Sequence, residues 1–115
     1  MRDDKQNIIV EKTTEFSLLI IDYVELLETK RKYIIARQIL KSGTSIGANV
    51  REAQNAESNA DFIHKMKIAA KEADETEYWL LLCQLSKHYP DCKDLQEKII
   101  VILKILSKII SSSKR

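Results

Sequence analysis

Residues 38–53 run Gln38-Ile39-Leu40-Lys41-Ser42-Gly43-Thr44-Ser45-Ile46-Gly47-Ala48-Asn49-Val50-Arg51-Glu52-Ala53. Two readings compete for them. Gly43 and Gly47 each cost roughly 1 kcal/mol against Ala in a helix interior, which favours a break at Ser42-Gly43-Thr44. The apolar phase argues the other way. Ile35, Ile39, Ile46, Val50 and Ala53 fall on one face at about 100° per residue, and that register survives across both glycines. A loop would not preserve it. The expectation is one continuous helix over roughly residues 31–56.

The flanking segments repeat the pattern. Upstream, Phe16, Ile20, Tyr23 and Leu27 recur at helical steps, which predicts a helix over roughly residues 10–28. The charged run Glu28-Thr29-Lys30-Arg31-Lys32 then marks a solvated turn. Downstream, Ser58-Asn59-Ala60-Asp61 reads as a cap with an acid three residues on. The third helix follows over roughly residues 59–87, with Phe62, Met66, Ala69, Ala73, Thr76 and Leu80 as its inner face. Pro90 cannot continue it. The fourth, roughly 92–111, carries Leu95, Ile99, Ile102, Leu106 and Ile109 as a core stripe, and the tail Ser111 to Arg115 is expected to fray. Long helices joined by short turns fold back on one another, so the fold class is all-α, an antiparallel up-down four-helix bundle filling residues 1–115 as one domain.

Composition agrees. The 115 residues contain two Gly and one Pro, too few turn formers for an all-β domain. Lys plus Arg number 19 against 17 Asp plus Glu, a net charge of +2, so any basic site has to be local. Cys83 and Cys92 form no disulfide framework or zinc spacing, and a reduced cytoplasmic setting follows. The start, Met1-Arg2-Asp3-Asp4-Lys5, leads into no signal-like apolar run, and no stretch is long and apolar enough to span a membrane.

The fourth helix has more apolar surface than one core needs. Ile100, Val101, Leu103, Ile105 and Ile110 lie off its main stripe, as do Ile68 and Trp79 on the third helix. In a small chain that surplus predicts a subunit interface. Ala36, Gly43 and Gly47 form a small-residue flank on the second helix, where another backbone can approach closely. The oligomer and packing candidates are therefore Gly43, Gly47, Trp79 and Ile105.

Several constellations suggest chemistry and fail on context. Gly43-Thr44-Ser45-Ile46-Gly47 matches G-x-S-x-G, but a nucleophile elbow needs a preceding strand and a large α/β sheet. Di-iron bundles need two Glu-x-x-His pairs, whereas the chain offers a single Asp61-x-x-His64, with His64 outward by phase. The acids Glu72, Asp74, Glu75 and Glu77, with Lys67 and Lys71 nearby, read as a salt-bridged face. Asn49 is expected to bond across to another helix. No catalytic residue, cofactor, metal or small-molecule substrate is expected. The basic candidate is different. With Ile39 as zero, Arg51 falls near 120°, Arg37 near 160° and Lys41 near 200°, a stripe opposite the core with only Glu52 on its border. Lys30, Arg31 and Lys32 extend it.

Residues 38–53 also resemble a signature of a bacterial four-helix-bundle family that includes proteins encoded in intervening sequences of 23S ribosomal RNA genes. The similarity continues through Asp61-Phe62-Ile63-His64-Lys65, Ile68-Ala69, Lys71-Glu72-Ala73, Glu75-Thr76 and Tyr78-Trp79-Leu80. The resemblance implies a four-helix bundle that assembles into a ring-like pentamer, with no established catalytic activity. A related branch, the accessory proteins of diversity-generating retroelements, serves a reverse transcriptase and binds nucleic acid. Where this chain has Lys41 the family often has Arg, so the charge is kept and the planar fork lost. The resulting expectation is a non-enzymatic homo-oligomer, pentamer favoured, contacting RNA or DNA backbone through Arg37, Lys41 and Arg51. The alternative is a protein-interaction scaffold without a nucleic-acid role.

Overall fold

The computed structural model describes residues 7–114. Four helices make up the fold: α1 (Ile8–Thr29), α2 (Tyr33–Ala53), α3 (Asn59–Leu85) and α4 (Lys93–Ser113). Each packs on its sequence neighbours, and α1 also meets α4, which closes an all-α four-helix bundle of 46 × 22 × 19 Å. The α1–α4 seam is the thinnest of the four.

The core follows the helical stripes. Phe16, Ile20 and Leu27 from α1, Ile39, Ile46 and Val50 from α2, Met66 and Leu80 from α3, and Ile99 and Leu106 from α4 are all buried. Ile35 and Ile109, expected in the core, are half-buried at its edge, while Ala36 is fully buried. α2 runs unbroken through both glycines. Three hydroxyls share the interior. Thr13 donates to the Ile9 carbonyl oxygen at 2.7 Å. Thr76 and Ser42 hydrogen-bond to each other at 2.9 Å across the α2–α3 seam. Burial without such a partner would cost each hydroxyl its hydration.

The turns account for the helix ends. Lys32 N–H donates to the Leu27 carbonyl and Arg31 N–H to that of Glu28, both at 2.9 Å, the paired bonds of a Schellman end. Arg31 takes the left-handed position with φ of 62°, so α2 begins at Tyr33 and not at residue 31. α2 ends at Ala53 because the next residues tighten into i→i+3 bonds, as in Asn55 N–H to the Glu52 carbonyl at 3.0 Å. The α3 cap is the predicted one: Ser58 Oγ accepts from Asp61 N–H at 3.0 Å.

The α3–α4 turn is held from both sides. Gln84 donates to Asp91 Oδ1 and accepts from Cys92 N–H, both at 2.8 Å, and its bond holds the Asp91 carboxyl below its ordinary pKa. Tyr23 donates from α1 to the Pro90 carbonyl at 2.8 Å. Beside it lie two buried free thiols, Cys83 and Cys92; burial pushes both up, Cys92 to about 11. The C-terminal segment does not fray as expected. Ser111–Ser113 stays helical, and Asn59 Nδ2 donates to the Ser113 carbonyl at 2.8 Å, a tie formed 54 residues apart.

Candidate nucleic-acid interface

The outer face of α2 carries Arg37, Lys41 and Arg51, all exposed. Helical phase places them together: α2 buries Ile39, Ile46 and Val50, and the three cations lie roughly opposite that stripe. Between them lie the half-buried Thr44 and the exposed Ala48. Thr44 and Ser45 donate back to the carbonyls of Leu40 and Lys41, so their hydroxyls serve the helix itself. The strip therefore presents charge with no competing acid.

The bordering acid is directed elsewhere. Glu52 lies 3.9 Å from Lys65, and Lys65 also meets Asp61 at 3.8 Å. Lys98 with Asp94 at 2.9 Å is the remaining ion pair among the described residues. None involves Arg37, Lys41 or Arg51. The expected extension is shorter than the sequence suggests. Lys30 and Arg31 are exposed, but Lys32 is half-buried with its Nζ 4.9 Å from the centre of the Tyr89 ring. That is a cation–π contact within the bundle.

The packing candidates fall in different places. A Cβ at Gly43 would lie 2.9 Å from both Cγ atoms of Ile20, and one at Gly47 would lie 3.3 Å from the Thr13 carbonyl oxygen. Both glycines thus accommodate α1 of the same chain, so the small-residue flank is used inside the subunit and not left for a neighbour. Trp79 is half-buried and donates to Glu75 Oε2 at 3.2 Å, with its ring 5.9 Å from that of Tyr78. Ile105 is half-buried against the core. It lies one turn beyond Val101, on the flank of α4 that borders α1. There an open groove of about 380 Å³ runs between the helices, lined by Phe16, Val101 and Ile102 with Lys12, Glu15, Glu97 and Lys98 at the rim.

Two further expectations need correction. Asn49 does not reach another helix; its Nδ2 donates to the Ser45 carbonyl one turn back at 2.8 Å. Glu72, Asp74, Glu75 and Glu77 form no ion pairs among the described residues. Lys67 and Lys71 precede the acids they would reach, and Lys before Glu is the weaker orientation against the helix dipole.

The Gly43–Gly47 stretch is internal to an unbroken helix, without the sharp turn that would lift Ser45 out. Among the described residues no three His, Cys, Asp or Glu side chains cluster as metal ligands, and no helix is long and apolar enough to cross a membrane. Two features escaped the sequence reading. Tyr33 stands exposed one turn before Arg37, a spacing visible in the sequence; the left-handed backbone of Arg31 had no such signal.

A model of the family described as 23S rRNA-intervening sequence protein matches residues 5–108. No curated protein matches the chain. Among solved structures, a protein of unknown function from the S23 ribosomal protein family of Bacteroides thetaiotaomicron is 42% identical. The match covers 90% of this chain and 98% of that one, with a TM-score of 0.85.

Proposed function

The chain belongs to the 23S rRNA-intervening sequence protein family, and on that footing we propose that it acts without catalysis, as a cytoplasmic oligomer that holds RNA or DNA by its phosphates through Arg37, Lys41 and Arg51. The observation that carries this reading is the acid-free strip on α2, whose three exposed cations have no ion-pair partner among the described residues while the bordering Glu52 is held by Lys65. Cations that only solubilise a helix are commonly interleaved with acids; these are not. Guanidinium and ammonium groups on an open helix face hold phosphates without reading bases, so the binding is backbone-directed and weakens with salt.

A single subunit offers few charges, so assembly is part of the proposal, with a pentamer favoured. Its support is the surplus apolar surface of α4, where Ile100 and Val101 are exposed and Ile105 half-buried beside the open α1–α4 groove. Repetition of the strip around a ring converts weak contacts into multivalent ones. The absence of catalysis rests on the lack of any converging nucleophile, base and oxyanion stabiliser among the described residues.

A protein-interaction scaffold is the second reading. It is favoured by Tyr78, Leu81 and Leu85, exposed toward the C-terminal end of α3, with Leu85 at 73%.

Fluorescence anisotropy of the assembled protein with labelled RNA and DNA, titrated across salt, separates the two. The proposal expects binding that weakens steeply with salt and loses most of its strength when Arg37, Lys41 and Arg51 are all changed to Gln. Changing Lys104 and Lys108 on α4 should matter less. Failure of the unaltered protein to bind at low salt would leave the scaffold reading. Light scattering at micromolar concentration tests assembly, and a 13.3 kDa particle would defeat it.

A further inference from the structure

We infer that the α2 face takes single-stranded nucleic acid in preference to duplex, with a base stacked on the exposed ring of Tyr33 at the head of the row of cations. The inference rests on the nucleic-acid reading of the strip and adds to it a ligand class and a residue.

Tyr33 is the first residue of α2 and is 54% exposed. Its side chain makes no hydrogen bond or ring contact among the described residues, unlike Tyr23, which is tied to Pro90, and Tyr89, which lies under Lys32. Arg37 follows it by four residues, one turn along the same face and about 6 Å in rise. Lys41 follows by another four. Ile34 and Leu40 stand exposed beside this line, at 78% and 38%. The strip is thus a row of cations with an aromatic ring at its head and aliphatic groups at its edges.

A duplex keeps its bases stacked inward and offers a helix face mainly phosphates and groove edges. Apolar groups among the cations would gain little there. A single strand has bases free to turn outward, and each has a flat face that stacks on an aromatic ring whatever its identity. A row of cations along one helix also tracks one backbone, not two. Charge and apolar surface on this face therefore suit the same ligand.

Arg31 adds an independent observation. Its φ of 62° is the left-handed conformation that the Schellman end favours for Gly. A side chain at that position is disfavoured, yet Arg stands there, exposed, with no ion pair among the described residues. Strain of this kind points to a role for the side chain beyond the fold. It stands two residues before Tyr33, and Arg37 four residues after it.

The test compares a labelled mixed-sequence single-stranded oligonucleotide with its duplex by anisotropy at several salt concentrations. The full-length protein is used alongside Tyr33→Ala and Tyr33→Trp, with circular dichroism confirming that each variant is folded. The unaltered protein should bind the single strand more tightly. Tyr33→Ala should lose roughly 5- to 150-fold in single-strand affinity, the usual range for removal of one base-stacking ring. Its duplex affinity and its salt slope should be unchanged, and Tyr33→Trp should retain or strengthen single-strand binding. Equal or tighter duplex binding by the unaltered protein, or a Tyr33→Ala variant that binds the single strand as well as the unaltered protein, overturns the inference and leaves the backbone-binding reading standing. No binding to either ligand at low salt removes both and favours a protein partner for this face.

Discussion

α2 has two unlike sides. On the inner side little space is left: Gly43 stands against Ile20, Gly47 against the α1 backbone at Thr13, and the Ser42 hydroxyl meets Thr76. On the outer side Arg37, Lys41 and Arg51 are exposed and have no ion-pair partner among the described residues. The contrast teaches that one helix can keep its contributions to stability and to binding on separate faces. Substitutions on the inner side should change the unfolding free energy, and substitutions on the outer side should change affinity.

The largest effect is expected from Gly43→Leu. The Cγ atoms of Ile20 stand where the new Cβ would go, and a β-branched side chain in a helix has little freedom to swing away. Overpacking of this kind should remove about 3 kcal/mol, read as a lower urea midpoint. An unchanged midpoint would break the contrast at its strongest point. Gly47→Ala sharpens it: with 3.3 Å to the nearest atom and a gain in helix propensity, it should fall far short of the Leu variant.

Thr76→Val comes next. Val keeps the shape and removes the hydroxyl that meets Ser42 inside the core. The loss of that bond should cost about 1–2 kcal/mol, again by urea unfolding. If the double variant with Ser42→Ala is as stable as Thr76→Val alone, the pair acts as one unit.

Arg31→Gly should move stability the other way. Relief of the left-handed strain should add about 1 kcal/mol, measured as a higher thermal midpoint. Nucleic-acid affinity should fall in the same protein. The smallest stability change belongs to the triple change of Arg37, Lys41 and Arg51 to Gln, expected within about 0.5 kcal/mol of the unaltered protein because exposed side chains away from special contacts rarely matter more. A large drop in its thermal midpoint would mean that the outer side also carries structural contacts and that the two faces are not separate.

The fold was legible because helices follow local rules. The continuous phase from Ile39 to Val50 outweighed two glycines, the Ser58 cap appears in the sequence as Ser58-Asn59-Ala60-Asp61, and Pro90 set a limit to α3. What escaped was where each flank goes. Small residues at positions 36, 43 and 47 announce a close approach without saying to what, and for both glycines the neighbour proved to be α1 of the same chain. Lys32 looked like part of a basic cluster until the fold brought Tyr89 beneath it. The tail from Ser111 was expected to fray because the anchor of Ser113, Asn59, lies far away in sequence. Phase alone placed the basic stripe on the outer face; the exposure of Tyr33 and the strain at Arg31 required the tertiary arrangement of the α1–α2 turn.

The paired thiols beneath Tyr23 give the bundle a built-in clock. A thiol reacts with an aromatic disulfide reagent only as an accessible thiolate, and burial denies Cys83 and Cys92 both accessibility and charge. Colour released from the native protein therefore counts openings, at a rate equal to the opening equilibrium multiplied by the reactivity of a free thiol when reclosing is fast. The two positions sample different openings. Cys92 caps the start of α4, whereas Cys83 lies within the last turns of α3. Equal rates at both would mean that the helices part together, and a faster Cys92 would mean that α4 peels from its first turn while the other three stay closed.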